Sequence, residues 1–423
     1  SDPGRAKRYI VEACGIRFDY SKHWINDNLK NHLISILIQC EFHKKRASFF
    51  SGELINHTEH LAALHPALRA GESDQYTCHG KSITQTILQA RRRTYEFSEG
   101  VRQGRLRGFT KKRFTDVLNI GIGGSETGPL LVSEALAPWI DGLRPHYISN
   151  LDGSDFQDTV GCLDPEKTLI VVVSKTFSTQ ETIHNATKAK MWLKKHLSSQ
   201  AIPNHFVAVS ADIQRAQKFG LDPDRIFEFW DWVGGRFSVW SSVGLSVMLA
   251  IGPERFNEFL QGANAMDQHF VKAPAGQNIP VIMAVLGILY RNGFGLQTHS
   301  VVPYDQRLAK LPAYLQQLEM ESNGKYRNTR GESITYDTCP VIWGQSGTNA
   351  QHSFFQLLHQ GTITSPTDFL LAAKAIDTDE KSHKLLSANC LSQIEVLSFG
   401  LDQDSIISNL INCGYSDSEA WFK

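Results

Sequence analysis

The sequence predicts an α/β fold: two doubly wound parallel-sheet domains, preceded by an N-terminal helical segment. Two observations lead to this prediction. Short runs such as "DVLNI" (116–120) and "TLIVVV" (168–173) are apolar throughout, which is typical of strands buried on both faces of a parallel sheet. Each run is followed by a cluster of glycines or hydroxyl residues and then by a helical pattern, so strand, loop and helix alternate.

The N-terminal segment, residues 1–85, is predicted to be helical. "WINDNLKNHLISILIQCEF" (24–42) has apolar residues at helical spacing. "TEHLAALHPALRAG" (58–71) begins with a possible cap at Thr58 and ends at a glycine, as helices often do.

The first α/β domain is expected over residues 86–255. Besides the two runs above, "HFVAVSAD" (205–212) reads as a third buried strand. "PLLVSEALAPW" (129–139) and "TQETIHNATKAKMWLKKHL" (179–197) are the helices that should follow the first two strands.

The second α/β domain is expected over residues 256–423. It opens with a helical stretch at 281–292. The remaining candidates are strands within 295–305 and 339–347, and amphipathic helices at 351–361 and 384–400.

Composition excludes several classes of function. Lysine plus arginine equals aspartate plus glutamate at 43 each, so no overall field attracts nucleic acid or an anionic membrane. No apolar run reaches the roughly 18 residues that a membrane span needs. The seven cysteines are dispersed, which suggests a reducing compartment and neither a zinc site nor a disulfide framework. An anionic ligand therefore needs a local site.

The first candidate site is the loop "GIGGS" (121–125), which follows a predicted strand and ends at Ser125. Glycines allow backbone N–H groups to approach a ligand, and a helix N-terminus favours an anion. The spacing lacks the dinucleotide fingerprint and the Walker lysine, which disfavours a dinucleotide or a nucleoside triphosphate. A tight turn that binds nothing is the alternative.

The second candidate site is "SKTFSTQET" (174–182), at the end of the next predicted strand. Its hydroxyls can donate to phosphate oxygens and Lys175 adds a positive charge. Helix capping is the alternative, but capping needs one or two hydroxyls and this stretch has five. Because the carboxyl ends of parallel strands meet at one edge, the two loops could converge on one phosphate.

Four further residues could carry chemistry. Arg236 follows two glycines and could reach into a pocket, although a lone arginine is usually paired with a surface acid. Glu321 could be a general base if it is desolvated, although a carboxylate in a turn is usually solvated. His352 and His359 lie seven residues apart, but no acid or thiol at suitable spacing joins them, so a metal site is not expected.

Five long motifs, taken together and in this order, resemble the glucose-6-phosphate isomerase family: "NIGIGGSETGP", "VVSKTFSTQET", "FWDWVGGRFSVWSSVGLS", "EMESNGK" and "WGQSGTNAQHSFFQLLHQGT". The resemblance implies two sugar-isomerase-type domains and interconversion of glucose 6-phosphate and fructose 6-phosphate in glycolysis and gluconeogenesis. It also implies a cytoplasmic homodimer with active sites at the subunit interface, and no cofactor or metal.

The resemblance also implies roles for individual residues. Glu321 matches the base, Arg236 the cation near the enediolate, and His352 the ring-opening histidine from the neighbouring subunit. The substrate-binding residues implied by the match are Gly124, Ser125, Ser174, Lys175, Thr176, Thr179 and Gln317. Ser178 and Thr182 are left as structural hydroxyls.

The chain departs from the family pattern at several points, and two of these departures bear on its activity. The family's C-terminal motif with an active-site lysine has no match, so a C-terminally truncated chain with impaired activity is expected. Leu61 stands where the family usually has arginine. The alternatives to an active isomerase are a non-catalytic phosphosugar-binding module and an inactive fragment of the isomerase.

Overall fold

The computed structural model describes residues 2–376, 379–400 and 403–422. The strands are β1 (Ile10–Ala13), β2 (Ile16–Asp19), β3 (Thr77–Cys78), β4 (Lys81–Ser82), β5 (Asp116–Ile120), β6 (Arg144–Ile148), β7 (Thr168–Val173), β8 (Phe206–Ser210), β9 (Ile226–Glu228), β10 (Thr298–Tyr304), β11 (Val341–Trp343) and β12 (Thr367–Leu371). The α-helices are α1 (Arg5–Arg8), α2 (Asp27–Gln39), α3 (Phe42–Ser51), α4 (Thr84–Arg102), α5 (Thr127–Ala135), α6 (Gly153–Gly161), α7 (Gln180–His196), α8 (Ile202–His205), α9 (Ile213–Lys218), α10 (Leu245–Ile251), α11 (Pro253–Lys272), α12 (Ile279–Ile288), α13 (Leu311–Leu315), α14 (Gly347–Gln351), α15 (Phe355–Gln360), α16 (Glu380–Phe399), α17 (Gln403–Asn412) and α18 (Asp417–Phe422).

A five-stranded parallel sheet organises the first part of the chain, in the order β6-β5-β7-β8-β9. The first strand of this sheet along the chain, β5, pairs with β6 on one side and with β7 on the other, and β8 and β9 extend the sheet beyond β7. The strand order therefore reverses between β5 and β7. In sheets of this kind ligands bind at the carboxyl ends of the strands beside such a reversal. The predicted strands at 116–120, 168–173 and within 205–212 are all present, and the predicted α/β class is confirmed.

The sheet is covered on both faces, as the unbroken apolar runs predicted. Every residue of β7 is buried. Alternate residues of this strand enter different cores: Leu169 and Val171 face one, and Ile170 and Val172 the other. Apolar residues are therefore required at successive positions, which is why the strand shows no alternation.

The N-terminal segment contains more than the predicted helices. Helix α2 lies within the predicted stretch 24–42, but β1–β2 and β3–β4 form two hairpins that were not expected. The predicted helix over 58–71 is wrong: the chain makes turns there and then a short 3-10 helix, His65–Arg69. Tertiary contacts override the local pattern, because the buried Arg69 side chain binds Asp267 through two hydrogen bonds of 2.6 and 2.7 Å.

The chain divides into two compact units. One comprises residues up to 295 together with 313–339, and the other comprises 296–312 together with the described residues from 340 onward. These units do not follow the predicted boundaries at 85 and 255. Phe256 and Leu260 of α11 share a core with Val247 of α10, and α12 shares one with the β1–β2 region. The three-part division at 85 and 255 stays a prediction.

The second unit contains its own parallel sheet, in the order β11-β10-β12. Two of its strands lie within the predicted stretches 295–305 and 339–347, and α15 and α16 match the predicted helices. No helix of the described residues combines the length and the apolar character that crossing a membrane requires.

Candidate active site

The loop after β5 is shaped by two glycines that no other residue could replace without strain. Gly123 has φ +61°, in the left-handed region. A Cβ on Gly124 would lie 2.1 Å from the carbonyl carbon of Gly235, so the two backbones touch. The loop that ends at Ser125 is thereby pressed against the segment that carries Arg236.

The loop after β7 gathers its hydroxyls in pairs. Ser174 is buried, and its Oγ lies 3.1 Å from Oγ1 of Thr179. Thr176 and Ser178 are exposed and bonded to each other at 2.8 Å. Thr179 occupies the cap position of α7, yet its side chain makes no capping hydrogen bond. Capping therefore does not account for this hydroxyl, and its position beside Ser174 is compatible with binding an anion.

The ammonium group of Lys175 lies against backbone. Its Nζ donates to the carbonyl of Asp231 at 2.6 Å and to that of Val233 at 3.1 Å. Burial lowers the pKa of Lys175, and the carboxylates of Glu59 and Asp231 oppose this effect. Lys175 thus links the loop after β7 to the turn just before Gly234–Gly235, and its predicted contact with a phosphate stays a prediction.

The Arg236 guanidinium and the Glu321 carboxylate are neighbours. Arg236 Nη1 lies 3.3 Å from Glu321 Oε1, and Arg236 Nε donates to Oγ of Ser322 at 2.7 Å. The hydroxyl of Tyr314 donates to the Arg236 carbonyl at 3.1 Å. The side chain of Arg236 is 21% exposed and that of Glu321 53%, so the cation is enclosed while the carboxylate faces solvent.

Glu321 ends a π-helical segment, Gln316–Glu321, that follows α13. π-helical turns are rare in proteins, and those that occur are often found at functional sites. Gln317 lies in the same segment, and its Oε1 accepts a hydrogen bond of 3.0 Å from Oγ1 of Thr127. This one short segment therefore carries both the predicted base, Glu321, and the predicted substrate-binding residue, Gln317. The amide of Gln317 lies next to the loop after β5.

A half-buried histidine packs against the segment that carries Arg236. The ring of His65 stacks on that of Phe237 with centroids 4.3 Å apart. Burial, followed by the positive charges of Arg69 and Arg236, lowers the pKa of His65 to about 3. The imidazole is therefore neutral at physiological pH and adds no charge near Arg236.

His352 belongs to the second compact unit. It is exposed and follows the last residue of the short helix α14. His359 is bonded instead to Gln393, with Nε2 2.8 Å from Oε1. Within the part of the chain that the structure describes, no group of three or more His, Cys, Asp or Glu residues could hold a metal ion.

The structure thus brings together Arg236 with Glu321, Ser174 with Thr179, and Gln317 with the loop after β5. Sequence reasoning missed the hydroxyls of Ser322, Thr127 and Tyr314 that bond to these groups. Ser322 follows Glu321 directly and Thr127 lies two residues after Ser125, so proximity in sequence to predicted site residues could have pointed to both. No sequence signal pointed to Tyr314.

Comparison with known proteins identifies the family. A family model for phosphoglucose isomerase matches residues 19–418. The chain belongs to this family. The resemblance found in the five motifs is therefore confirmed, and it extends over nearly the whole sequence.

Bacterial relatives support the assignment to the phosphoglucose isomerase family. A glucose-6-phosphate isomerase from Brucella anthropi is 46% identical over 420 residues, which cover 99% of this chain and 76% of that protein. The enzyme of the same name from Brucella ovis is 46% identical over 411 residues, covering 97% and 75%. The alignments cover almost all of this chain and about three quarters of each of these two relatives, and the expected C-terminal truncation stays a prediction.

Solved structures agree. A crystal structure of a glucose-6-phosphate isomerase from Chlamydia trachomatis superimposes with a TM-score of 0.85 at 32% identity, covering 93% of this chain and 77% of that one. A hypothetical protein from Thermus thermophilus reaches a TM-score of 0.64 at 24% identity, covering 88% and 83%, and shares the fold.

Proposed function

We propose that this member of the phosphoglucose isomerase family interconverts glucose 6-phosphate and fructose 6-phosphate. The observation that carries the proposal is the pairing of Arg236 with Glu321, 3.3 Å apart, in a chain whose relatives bear the name glucose-6-phosphate isomerase. A carboxylate and a permanent cation side by side supply the two groups that abstraction of a weakly acidic proton next to a carbonyl uses: a base for the proton and a charge that stabilises the developing oxyanion.

Glu321 acts as the single base. Its carboxylate removes the proton from C2 of the open-chain aldose, the C2–H electron pair forms the C1–C2 double bond, and the π pair of the C1 carbonyl moves to O1, which takes a proton from solvent to give a cis-enediol. The same carboxyl group returns the proton to C1, using the electron pair of the C1–C2 double bond, while the C2 hydroxyl releases its proton to solvent and becomes the carbonyl. Arg236 stabilises the negative charge that develops on the oxygens between these two steps.

The phosphate does not react, and its binding anchors the sugar. We assign it to the two loops at the carboxyl ends of β5 and β7. The hydroxyls of Ser174 and Thr179, 3.1 Å apart, support this assignment, because no helix cap uses Thr179. The proposed substrate-binding residues are Gly124, Ser125, Ser174, Lys175, Thr176, Thr179 and Gln317. No cofactor is part of the scheme.

The direct test is a coupled assay of fructose 6-phosphate isomerisation with the wild-type chain and Glu321→Gln. Turnover by the wild type and its loss in the variant, with sugar-phosphate binding retained, is the expected result. A wild type that binds fructose 6-phosphate without turning it over would instead identify a phosphosugar-binding module.

We further propose a cytoplasmic homodimer in which His352 opens the sugar ring in the site of the neighbouring subunit. Mixing Glu321→Gln with His352→Ala tests this arrangement, because a site shared between subunits regains both groups in mixed dimers. Recovery of activity on mixing is expected. If neither variant is rescued by the other, each site is built from one subunit.

A further inference from the structure

The hydroxyl of Ser322 has two hydrogen bonds with different consequences. It accepts one of 2.7 Å from Nε of Arg236 and donates another to the carbonyl of Leu318, one helical turn earlier. Ser322 directly follows Glu321, so a single hydroxyl connects the proposed cation to the segment that carries the proposed base.

The geometry points to Ser322 as a positioning residue for Arg236, a role that rests on the isomerase function proposed above. An arginine side chain has several freely rotating bonds, and holding it in one geometry has an entropic cost. With Nε bonded to Ser322, the plane of the guanidinium is fixed, and Nη1 is directed to Glu321 at 3.3 Å.

The second hydrogen bond of Ser322 makes this arrangement rigid. Because the hydroxyl proton is donated to the Leu318 carbonyl, the oxygen lone pairs face Arg236 and can only accept. The Tyr314 hydroxyl holds the backbone of Arg236 from the other end, through the Arg236 carbonyl. Side chain and backbone of the arginine are thus fixed by groups of the same 313–339 segment.

Loss of the Ser322 hydroxyl should affect the chemical step and not substrate binding. Stabilisation of a developing charge depends on donors that are already in place when the charge appears. Removing the Ser322 hydroxyl leaves the charge of Arg236 intact but frees its orientation. Ser322→Ala should therefore lower kcat by about tenfold, since a hydrogen bond to a charged group is lost, while KM changes little.

The experiment compares Ser322→Ala, Ser322→Thr and Ser398→Ala in the fructose 6-phosphate assay, with thermal unfolding of each. Threonine keeps a hydroxyl and should restore kcat. Ser398 donates the same kind of bond to a carbonyl one turn earlier, that of Ile394, so it controls for loss of a helix-backbone bond. Its replacement should leave kcat unchanged.

A double-mutant cycle with Arg236→Met completes the test. If Ser322 acts through Arg236, Ser322→Ala has no further effect on kcat in the Arg236→Met background. Independent, multiplicative losses would overturn the inference, and so would a Ser322→Ala protein with wild-type kcat. Absence of turnover in the wild type would instead overturn the proposed isomerase function itself, and with it this role.

Discussion

The two halves of the candidate site are built in different ways. The loops after β5 and β7 are continuous stretches of sequence, and the hydroxyl pairs of the second loop lie within six residues of one another. Arg236 and Ser322, by contrast, are 86 positions apart, and the π-helical segment that ends at Glu321 supplies the base. An anion can be held by any cluster of donors at a strand end, whereas proton transfer needs a defined orientation between two groups. The first half therefore consists of local motifs, and the second of tertiary contacts.

Breaking the base should have the largest effect. Glu321→Gln keeps the shape but removes the proton acceptor, so kcat should fall by about 10³-fold or more while KM stays near its wild-type value. The measurement is steady-state kinetics of fructose 6-phosphate isomerisation. Glu319→Gln is the matched control in the same segment, because the Glu319 carboxylate accepts a hydrogen bond of 2.8 Å from the nearby Asn323 side chain. Comparable losses in both variants would contradict the role of Glu321.

Changing the cation should have the next largest effect. Lysine in place of Arg236 keeps the charge but cannot reach Ser322 and Glu321 with separate nitrogens, so kcat should fall by about a hundredfold. Arg330→Lys, at an exposed arginine paired with Glu332, should be neutral. Wild-type turnover in Arg236→Lys would mean that charge alone suffices.

The loop after β7 should respond differently. Ser174→Ala removes a buried hydroxyl from the proposed phosphate site, so KM should rise by about tenfold with little change in kcat. Ser178→Ala, which loses an exposed hydroxyl bonded to Thr176, is the control and should keep the wild-type KM. A loss of kcat without a change in KM in Ser174→Ala would remove the distinction between the two halves.

The smallest expected effect is a loss of folding stability at acidic pH that arises from His65. Because the pKa of His65 is about 3 in the folded chain and about 6.5 when unfolded, the unfolded state binds more protons between these values. Stability contributed by this group is therefore lost as pH falls below 6.5, by about 1 kcal/mol between pH 7 and 5.5. Urea unfolding of the wild type and His65→Gln at both pH values measures the difference. The variant should lose less stability on acidification, and an identical loss would contradict the assignment.

The same contrast, between features formed by contiguous residues and features formed by contacts between distant residues, explains which parts of the fold the sequence could predict. The strands β5, β7 and β8 were predictable because a parallel sheet covered on both faces leaves unbroken apolar runs, and the loops were predictable because their glycines and hydroxyls are contiguous. The strand β6 was missed, since "RPHYI" begins with an arginine and a proline, and its residues are only partly buried up to Ile148.

Other errors have the same origin. Residues 58–71 carry a helical pattern, but the bidentate contact of Arg69 with Asp267 and the hydrogen bonds from Arg91 to the carbonyls of Leu68 and Ala70 hold a different backbone. The pairing of Arg236 with Glu321 could be named only through the family resemblance. No local pattern encodes a contact between residues so distant in the chain.

The π-helical segment that ends at Glu321 decides which changes in chain length move the base. Such a turn holds one residue more than an α-helix would. Deleting a single residue between Leu315 and Glu321 would allow an ordinary α-helix, and each residue of an α-helix turns the chain by about 100°. Because the wide turn absorbs its extra residue, that deletion would leave Glu321 facing much the same way, whereas a deletion in α13, outside the turn, would rotate the carboxylate away from Arg236. In α13, the number of residues is as much a part of the chemistry as their identity.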